Sequence, residues 1–185
     1  QLIARQKNLN YIPGEEFLYS NSGYFLLAEI VQRVSGKSLR VFAEENIFAP
    51  LGMVHTHFHD NFKEIVKNRA VAYSPCEKGG YHIDTGIFDF LGYGAVYTNV
   101  GDLYLWDQNF YHNSLDGGGQ ELIDQMQQVG VLNNGERLKY AYGLYLSSYR
   151  GLNTVYHSGA WYGYRAELLR FPEQAFPSFA WRTIP

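Results

Sequence analysis

The sequence is poor in cysteine, in long apolar runs and in net charge. Cys76 is the single cysteine in 185 residues, so the chain cannot form an internal disulfide. No apolar run approaches the roughly 18 residues that a membrane-spanning helix needs. Lys and Arg number 15 against 18 Asp and Glu, a formal net charge of −3, which lacks the basic footprint of a nucleic-acid binder. We therefore expect neither a membrane span nor a nucleic-acid partner.

The residues for a core, by contrast, are abundant. Hydrophobic residues make up 46% of the chain, aromatic residues 17% and charged residues only 18%, which is too apolar for a disordered protein. The sequence shows no internal repeat and no low-complexity tract, and its length is typical of one domain. The composition predicts a single folding unit with a buried core.

Capping residues predict helices in the first two thirds of the chain. Ser20-Asn21-Ser22 offers N-capping side chains to an apolar helical pattern that ends at Gly36. Ser38 can cap a second helix, and Asn99 can begin a third. A short fourth helix is indicated by Leu122, Ile123 and Met126.

The last third of the chain favours antiparallel strands. Asn134-Gly135 is a strong two-residue hairpin signal, and apolar residues alternate after it over 140–146. Segments 154–160 and 164–171 are predicted as two further strands with a turn between them. Helices first and antiparallel strands last predict an α/β protein of the segregated α+β type.

Two short strings contain side chains suited to acyl transfer. Tyr19-Ser20-Asn21 lies at the start of the first predicted helix, and His157-Ser158-Gly159 lies on a late strand. Acyl transfer needs a nucleophile, a proton acceptor and donors for the oxyanion. The Tyr19 phenol, with an ordinary pKa of about 10, is a proton acceptor only where cationic neighbours lower that pKa. Asn21 can donate and accept hydrogen bonds, and His157 can donate to the Tyr19 oxygen or to a substrate carboxylate.

With segments 13–24, 50–53 and 98–106, these strings resemble the serine β-lactamase and penicillin-binding-protein-related hydrolases, most closely the class C-like branch. The resemblance covers residues 1 to about 174. It implies an incomplete β-lactamase/transpeptidase-like fold, no metal or other cofactor, and an extracytoplasmic location. It gives catalytic roles to Tyr19, Asn21 and His157. The substrate-binding segment that it implies is Ser158, Gly159 and Ala160, with the Ala160 N–H as an oxyanion donor.

The first motif of this family, S-x-x-K, does not occur here: none of the ten serines is followed three residues later by lysine. In the family that motif and further strands precede Y-x-N. We expect a fragment of a serine hydrolase that acts through an acyl-enzyme on a D-amino-acid peptide, a β-lactam or a small ester, and that is inactive by itself. His157 replaces the usual lysine, which favours an esterase or peptidase because imidazole is mostly neutral at pH 7. The alternative is a non-catalytic binding module, or an incomplete product, that retains the pocket.

Two other chemistries are weaker hypotheses. His55, His57 and His59 alternate next to Asp60, which suits a metal pair on one face of a strand. No cysteine or distant glutamate cluster supports such a site. A Ser-His-Asp triad is disfavoured because the sequence has no G-x-S-x-G elbow. In addition, His157 and Ser158 are adjacent, so on a strand they point to opposite faces.

Residues 175–185 form an atypical tail. In the resembling family an apolar strand follows the R-F-P-E segment, whereas this tail contains Pro177, which we expect to break a central strand. We hypothesise a frameshift after Gln174. The strand over 164–171 would then keep an open edge through which the protein self-associates.

The frameshift has a direct test in the gene. Sequencing around the Gln174 codon should show that a one-base insertion or deletion restores a long open frame encoding an apolar, β-branched strand. A gene in which no such change opens that frame would refute the hypothesis.

Overall fold

A computed structural model describes residues 3–86 and 91–183 of the chain. Helices come first and a four-stranded antiparallel sheet comes last, so the predicted α+β order is confirmed. The helices are α1 (Asn21–Ser35), α2 (Leu39–Ala43), α3 (Val100–Asn109) and α4 (Gly119–Met126), with a π-helical turn at Glu44–Phe48 and 3-10 turns at Ile3–Arg5 and Pro172–Gln174. The strands are β1 (His57–Phe58), β2 (Tyr73–Pro75), β3 (Tyr81–Ile83), β4 (Val96–Tyr97), β5 (Tyr145–Tyr149), β6 (Leu152–Trp161), β7 (Tyr164–Phe171) and β8 (Phe176–Arg182).

The predicted caps and the hairpin turn are confirmed. Ser20 and Ser38 accept hydrogen bonds from backbone N–H groups of the helices that follow them, at 3.1 and 3.3 Å. Asn99 does the same for α3 at 2.8 Å. Gly36 ends α1 with φ 72°, and the turn at Asn134-Gly135 has a left-handed glycine with φ 87°. Each of these features depends only on neighbours within a few residues.

The large sheet has the order β5-β6-β7-β8, and each neighbouring pair is antiparallel. β5 pairs only with the first half of β6, from Leu152 to Tyr156. The second half of β6, residues 157–161, continues past the end of β5 and pairs with β7. The His157-Ser158-Gly159 string therefore lies on a stretch of strand that β5 does not cover.

The expectation for the tail was wrong. β8 pairs with β7 over seven register positions, so β7 is an inner strand and has no open edge. Pro177 lies within β8 opposite Arg170. An edge strand tolerates proline because the missing N–H can belong to the side that faces away from the sheet. Residues 184 and 185 lie outside the described residues, and the frameshift stays a prediction.

The sequence predicted one strand over the alternating segment 140–146. This prediction was wrong, because β5 begins only at Tyr145. Before it, Gly143 takes a left-handed conformation with φ 80°, and the Ala141 N–H donates to the Leu144 carbonyl at 2.8 Å. This turn brings Tyr140 back to form an isolated bridge with Tyr145. Alternation of apolar residues here indicated neither one extended strand nor uniform burial, because Tyr140 and Leu144 are buried and Tyr142 is exposed.

Two apolar clusters hold the helices against the strands. Trp106 of α3 packs against both clusters and joins them. Among the described residues, no helix is long and apolar enough to cross a bilayer. The first cluster contains Phe110, Ile123, Leu144 and Val155, and the second contains Ala43, Phe48 and Met53.

A buried ion pair joins α3 to β7. The side chains of Arg170 and Asp107 are 1% and 0% exposed, and the guanidinium donates a hydrogen bond to the carboxylate. The same guanidinium lies over the Phe110 ring, 3.9 Å from its centroid. Removal of one partner would leave an uncompensated charge in the core, which costs far more than the loss of a surface pair.

A small hairpin, β2 and β3, packs on the turn between β6 and β7. The Tyr73 N–H donates to the Thr183 carbonyl at 3.0 Å, just past the end of β8. At Gly163 in the turn, an added Cβ would lie 2.5 Å from the Tyr73 carbonyl oxygen. Only glycine permits this approach, so the contact fixes the turn relative to the hairpin.

We predict that Arg170→Met destabilises the chain by about 3–5 kcal/mol, because Asp107 is left as an unpaired buried charge. Urea unfolding followed by circular dichroism measures the change. Arg33→Ala, at an exposed position of α1, is the matched control and should shift stability by no more than about 0.5 kcal/mol. Equal unfolding midpoints for the two variants would contradict the assigned role of the ion pair.

Candidate functional site

The fold brings together two of the predicted site residues from opposite ends of the chain. Tyr19 immediately precedes Ser20, the N-cap of α1, and His157 lies on β6 just beyond the end of β5. Their ring centroids are 5.9 Å apart. The N-cap of α1 positions Tyr19, and the register of β6 positions His157.

Two further tyrosines surround this pair. Tyr140 lies 6.1 Å from Tyr19 and 6.2 Å from His157, and Tyr145 lies 5.6 Å from His157, all between ring centroids. Sequence reasoning treated 140 only as a strand position and did not assign either tyrosine to the site. Their approach depends on the turn at Gly143, for which the alternating pattern gives no signal.

The hydrogen bond of His157 determines its neutral tautomer. Its Nδ1 lies 2.7 Å from the Ser158 carbonyl oxygen, which can only accept, so Nδ1 carries the hydrogen. In the neutral ring Nε2 is then an acceptor. His157 can therefore accept from a phenol or a substrate, and it donates through Nε2 only as the imidazolium, which narrows the role expected from the sequence.

The environment of Tyr19 keeps its phenol protonated. Burial raises the pKa of Tyr19 above its ordinary value, and the neighbouring phenols of Tyr145 and Tyr24 raise it further. None of these causes is a cation. The phenol of the described chain is consequently a proton donor at neutral pH.

Asn21 is the first residue of α1 and is exposed. Three polar residues in a row were predicted to offer the cap, and Ser20 is the one that makes it. The Asn21 amide is therefore not used in capping and stays on the surface, two residues from Tyr19.

The predicted substrate-binding segment is exposed. Ser158, Gly159 and Ala160 all lie at the surface in the part of β6 beyond β5. Because side chains alternate along a strand, Gly159 shares a face with His157, while Ser158 and Ala160 point to the other face. The segment can present backbone groups to a ligand without steric hindrance from a neighbouring strand at that edge.

An open cleft of about 390 Å³ adjoins Tyr19. Tyr19, Tyr24 and Tyr140 form part of its lining, together with Phe17, which precedes α1, and Leu27 of α1. Within residues 3–86 and 91–183, its lining contains no charged side chain. The space next to the phenol is thus apolar.

The histidines considered as a metal site do not form one group. His57 Nε2 and His59 Nδ1 are 3.2 Å apart, whereas His55 lies before β1 and is exposed. In the part of the chain that the structure describes, no three His, Cys, Asp or Glu side chains are grouped to hold a metal ion. The His57 and His59 pair therefore has no third ligand of these types there.

The α+β fold is that of β-lactamase and penicillin-binding-protein structures. The octameric penicillin-binding protein homologue from Pyrococcus abyssi superposes with a TM-score of 0.81 at 27% identity, over 92% of this chain and 39% of that one. The family model described as Beta-lactamase matches residues 3–177. The chain belongs to the beta-lactamase family.

Curated relatives include a penicillin-binding protein and an aminopeptidase. Penicillin-binding protein 4* of Bacillus subtilis is 29% identical over 86% of this chain and 38% of its own length. The D-aminopeptidase of Brucella anthropi is 24% identical over 90% of this chain and 31% of its own length. The chain thus spans about a third of the length of these relatives.

We predict that Tyr19 titrates above pH 10 in this chain, because burial and neighbouring phenols disfavour the phenolate. Folding stabilises the protonated phenol, so this contribution to stability is complete below the unfolded pKa and is lost as pH rises through the folded one. Tyrosine resonances labelled with ¹³C, assigned by Tyr19→Phe, report the titration. A Tyr19 midpoint below 10 would mean that an unrecognised cation acts on it.

Proposed function

We propose that this chain carries the proton-relay and substrate-positioning part of a serine hydrolase that cleaves amide or ester bonds through an acyl-enzyme. The nucleophile is the serine of an S-x-x-K motif, supplied by a segment of the parent protein that is not part of this sequence. An active site shared between this chain and another segment of the parent agrees with the length of the chain, which spans 38% and 31% of two curated relatives.

The observation that supports this function best is the approach of Tyr19 to His157. Residues from the start of α1 and from β6 meet at 5.9 Å between ring centroids, which is the arrangement that a proton relay facing a substrate-binding strand requires. The motif order Y-x-N then H-x-G leads to the same assignment. The roles of Asn21, Ser158, Gly159 and Ala160 rest on their positions beside this pair.

The reaction follows from the chemistry of these groups. The serine Oγ attacks the substrate carbonyl, a C–O bond forms, and Tyr19 passes the serine proton to the departing amine or alcohol as the C–N or C–O bond breaks. The Ala160 N–H donates to the developing oxyanion, and Asn21 and His157 orient the substrate. Water then attacks the acyl-enzyme, which releases the acid and restores the serine.

Tyr19 needs a cation for this role, because its surroundings in this chain raise its pKa. The lysine of the S-x-x-K motif is the cation that the proposal supplies. A lysine ammonium within about 4–6 Å would favour the phenolate and make Tyr19 a proton acceptor.

The proposed substrates are D-amino-acid amides and peptides, with small esters as a second group. A lysine at the His157 position would offer an anionic β-lactam a permanent positive charge, and a histidine does not provide a permanent one. The similarity to a D-aminopeptidase, at 24% identity, supports the same choice.

The test replaces Tyr19 by Phe in the product of the complete gene. We expect kcat/KM for a D-alanyl p-nitroanilide or an activated ester to fall by about 10²–10⁴, the usual contribution of a positioned acid–base group. Tyr104→Phe, at an exposed position of α3, is the matched control and should leave the rate unchanged. A decrease in kcat/KM of less than about tenfold for Tyr19→Phe would refute the proposed relay.

The chain by itself is the second control in this experiment. It should not hydrolyse nitrocefin or activated esters above a boiled sample, because it contains no S-x-x-K serine to be acylated. Turnover by the isolated chain that Tyr19→Phe abolishes would refute the assignment of the nucleophile to another segment.

A further inference from the structure

Three residues of β6 share the face on which His157 meets Tyr19. Side chains alternate along a strand, so His157, Gly159 and Trp161 point the same way. His157 and Trp161 are four residues apart, roughly 13 Å along an extended strand. The only side-chain position between them on this face belongs to a glycine, so the face has a gap there.

The floor of this gap is flat and open. Gly159 pairs with Ala166 of β7 in the register of the sheet. A Cβ added at 159 would meet only the Ala166 Cβ, at an ordinary contact distance of 3.7 Å. Gly159 itself is exposed. Two small residues side by side thus leave room for a flat group to lie on the sheet between His157 and Trp161.

The far wall of the gap is a fixed aromatic ring. Tyr93 and Tyr162 both pack edge-on against the Trp161 indole, with ring centroids 5.8 and 5.3 Å away. The adjacent turn is held against the β2–β3 hairpin at Gly163. Trp161 nevertheless keeps 40% of its surface exposed, so the ring is positioned and still accessible to a ligand.

The nearby charges of β7 belong to the other face. Arg165 pairs with Ala160, and Glu167 pairs with Ser158, and directly opposed residues share a face. The Arg165 guanidinium also donates to the Tyr162 and Tyr164 carbonyls, at 2.6 and 2.7 Å. Neither Arg165 nor Glu167 would therefore act as a counterion for a charged ligand group in the gap.

We propose that the gap between His157 and Trp161 is the subsite for an aromatic side chain on the acyl residue of the substrate. A ring that lies over Gly159 stacks against Trp161 while the adjoining carbonyl reaches the Ala160 N–H. The inference rests on the proposed function. It narrows the substrate class to substrates whose acyl residue is aromatic, in preference to those whose acyl residue is small or charged.

The experiment measures binding to the isolated chain and needs no turnover. Ligand titrations followed by NMR compare D-phenylalanine amide with D-alanine amide. We expect the aromatic ligand to bind at least about tenfold more tightly, the preference that an apolar subsite provides for added hydrophobic surface. Trp161→Ala should reduce this preference to less than about threefold, whereas Trp161→Phe should retain most of it.

Tyr149→Ala is the matched control, because Tyr149 is an exposed aromatic residue at the far end of β5, and it should leave the preference unchanged. No preference in the original chain, or the same preference in Trp161→Ala and Tyr149→Ala, would overturn the subsite. The proposed function fails by a different result, the insensitivity of turnover to Tyr19→Phe. The two failures are therefore distinguishable.

Discussion

The contact between Arg170 and Asp107 determines how the sheet lies against the helices. Both side chains are almost fully buried, so neither charge has water to replace its partner. Arg170 is opposite Val155 on β6, and His157 is one pleat further along on the same face. A slip of β7 by one residue would turn Arg170 to the other face and separate the charges. The ion pair therefore favours the register of β7 in which Arg170 lies on the same face of the sheet as His157.

Features that depend on a few neighbouring residues could be predicted from the sequence. The caps at Ser20, Ser38 and Asn99 and the turn at Asn134-Gly135 are of this kind. The ion pair is different, because its partners are 63 residues apart and neither has a local pattern that identifies the other. The prediction for the tail was wrong for a related reason. Proline excludes a central strand but not an edge strand, and whether a strand lies at the edge depends on the whole sheet.

In the candidate site, too, some features could be predicted from the sequence and others could not. Tyr19, just before α1, and His157, within β6, come to 5.9 Å between ring centroids, and the catalytic roles that the motif order gives them stay predictions. The tyrosines around them could not be assigned, because the turn at Gly143 that folds Tyr140 back interrupts an alternating pattern that otherwise resembles a strand. The His157 tautomer likewise depends on a backbone carbonyl whose orientation only the folded strand defines.

These contacts give the site a consistent electrostatic character. Tyr19 is surrounded by other phenols, the cleft beside it is apolar, and the Nδ1 of His157 is engaged by the Ser158 carbonyl. A single charge introduced into such surroundings is less screened than it would be in water, so its effect on nearby groups is larger. Under the proposed function, one lysine beside Tyr19 would therefore favour its phenolate. The same apolar surroundings that make Tyr19 a donor in this chain would make it responsive to the group that completes the site.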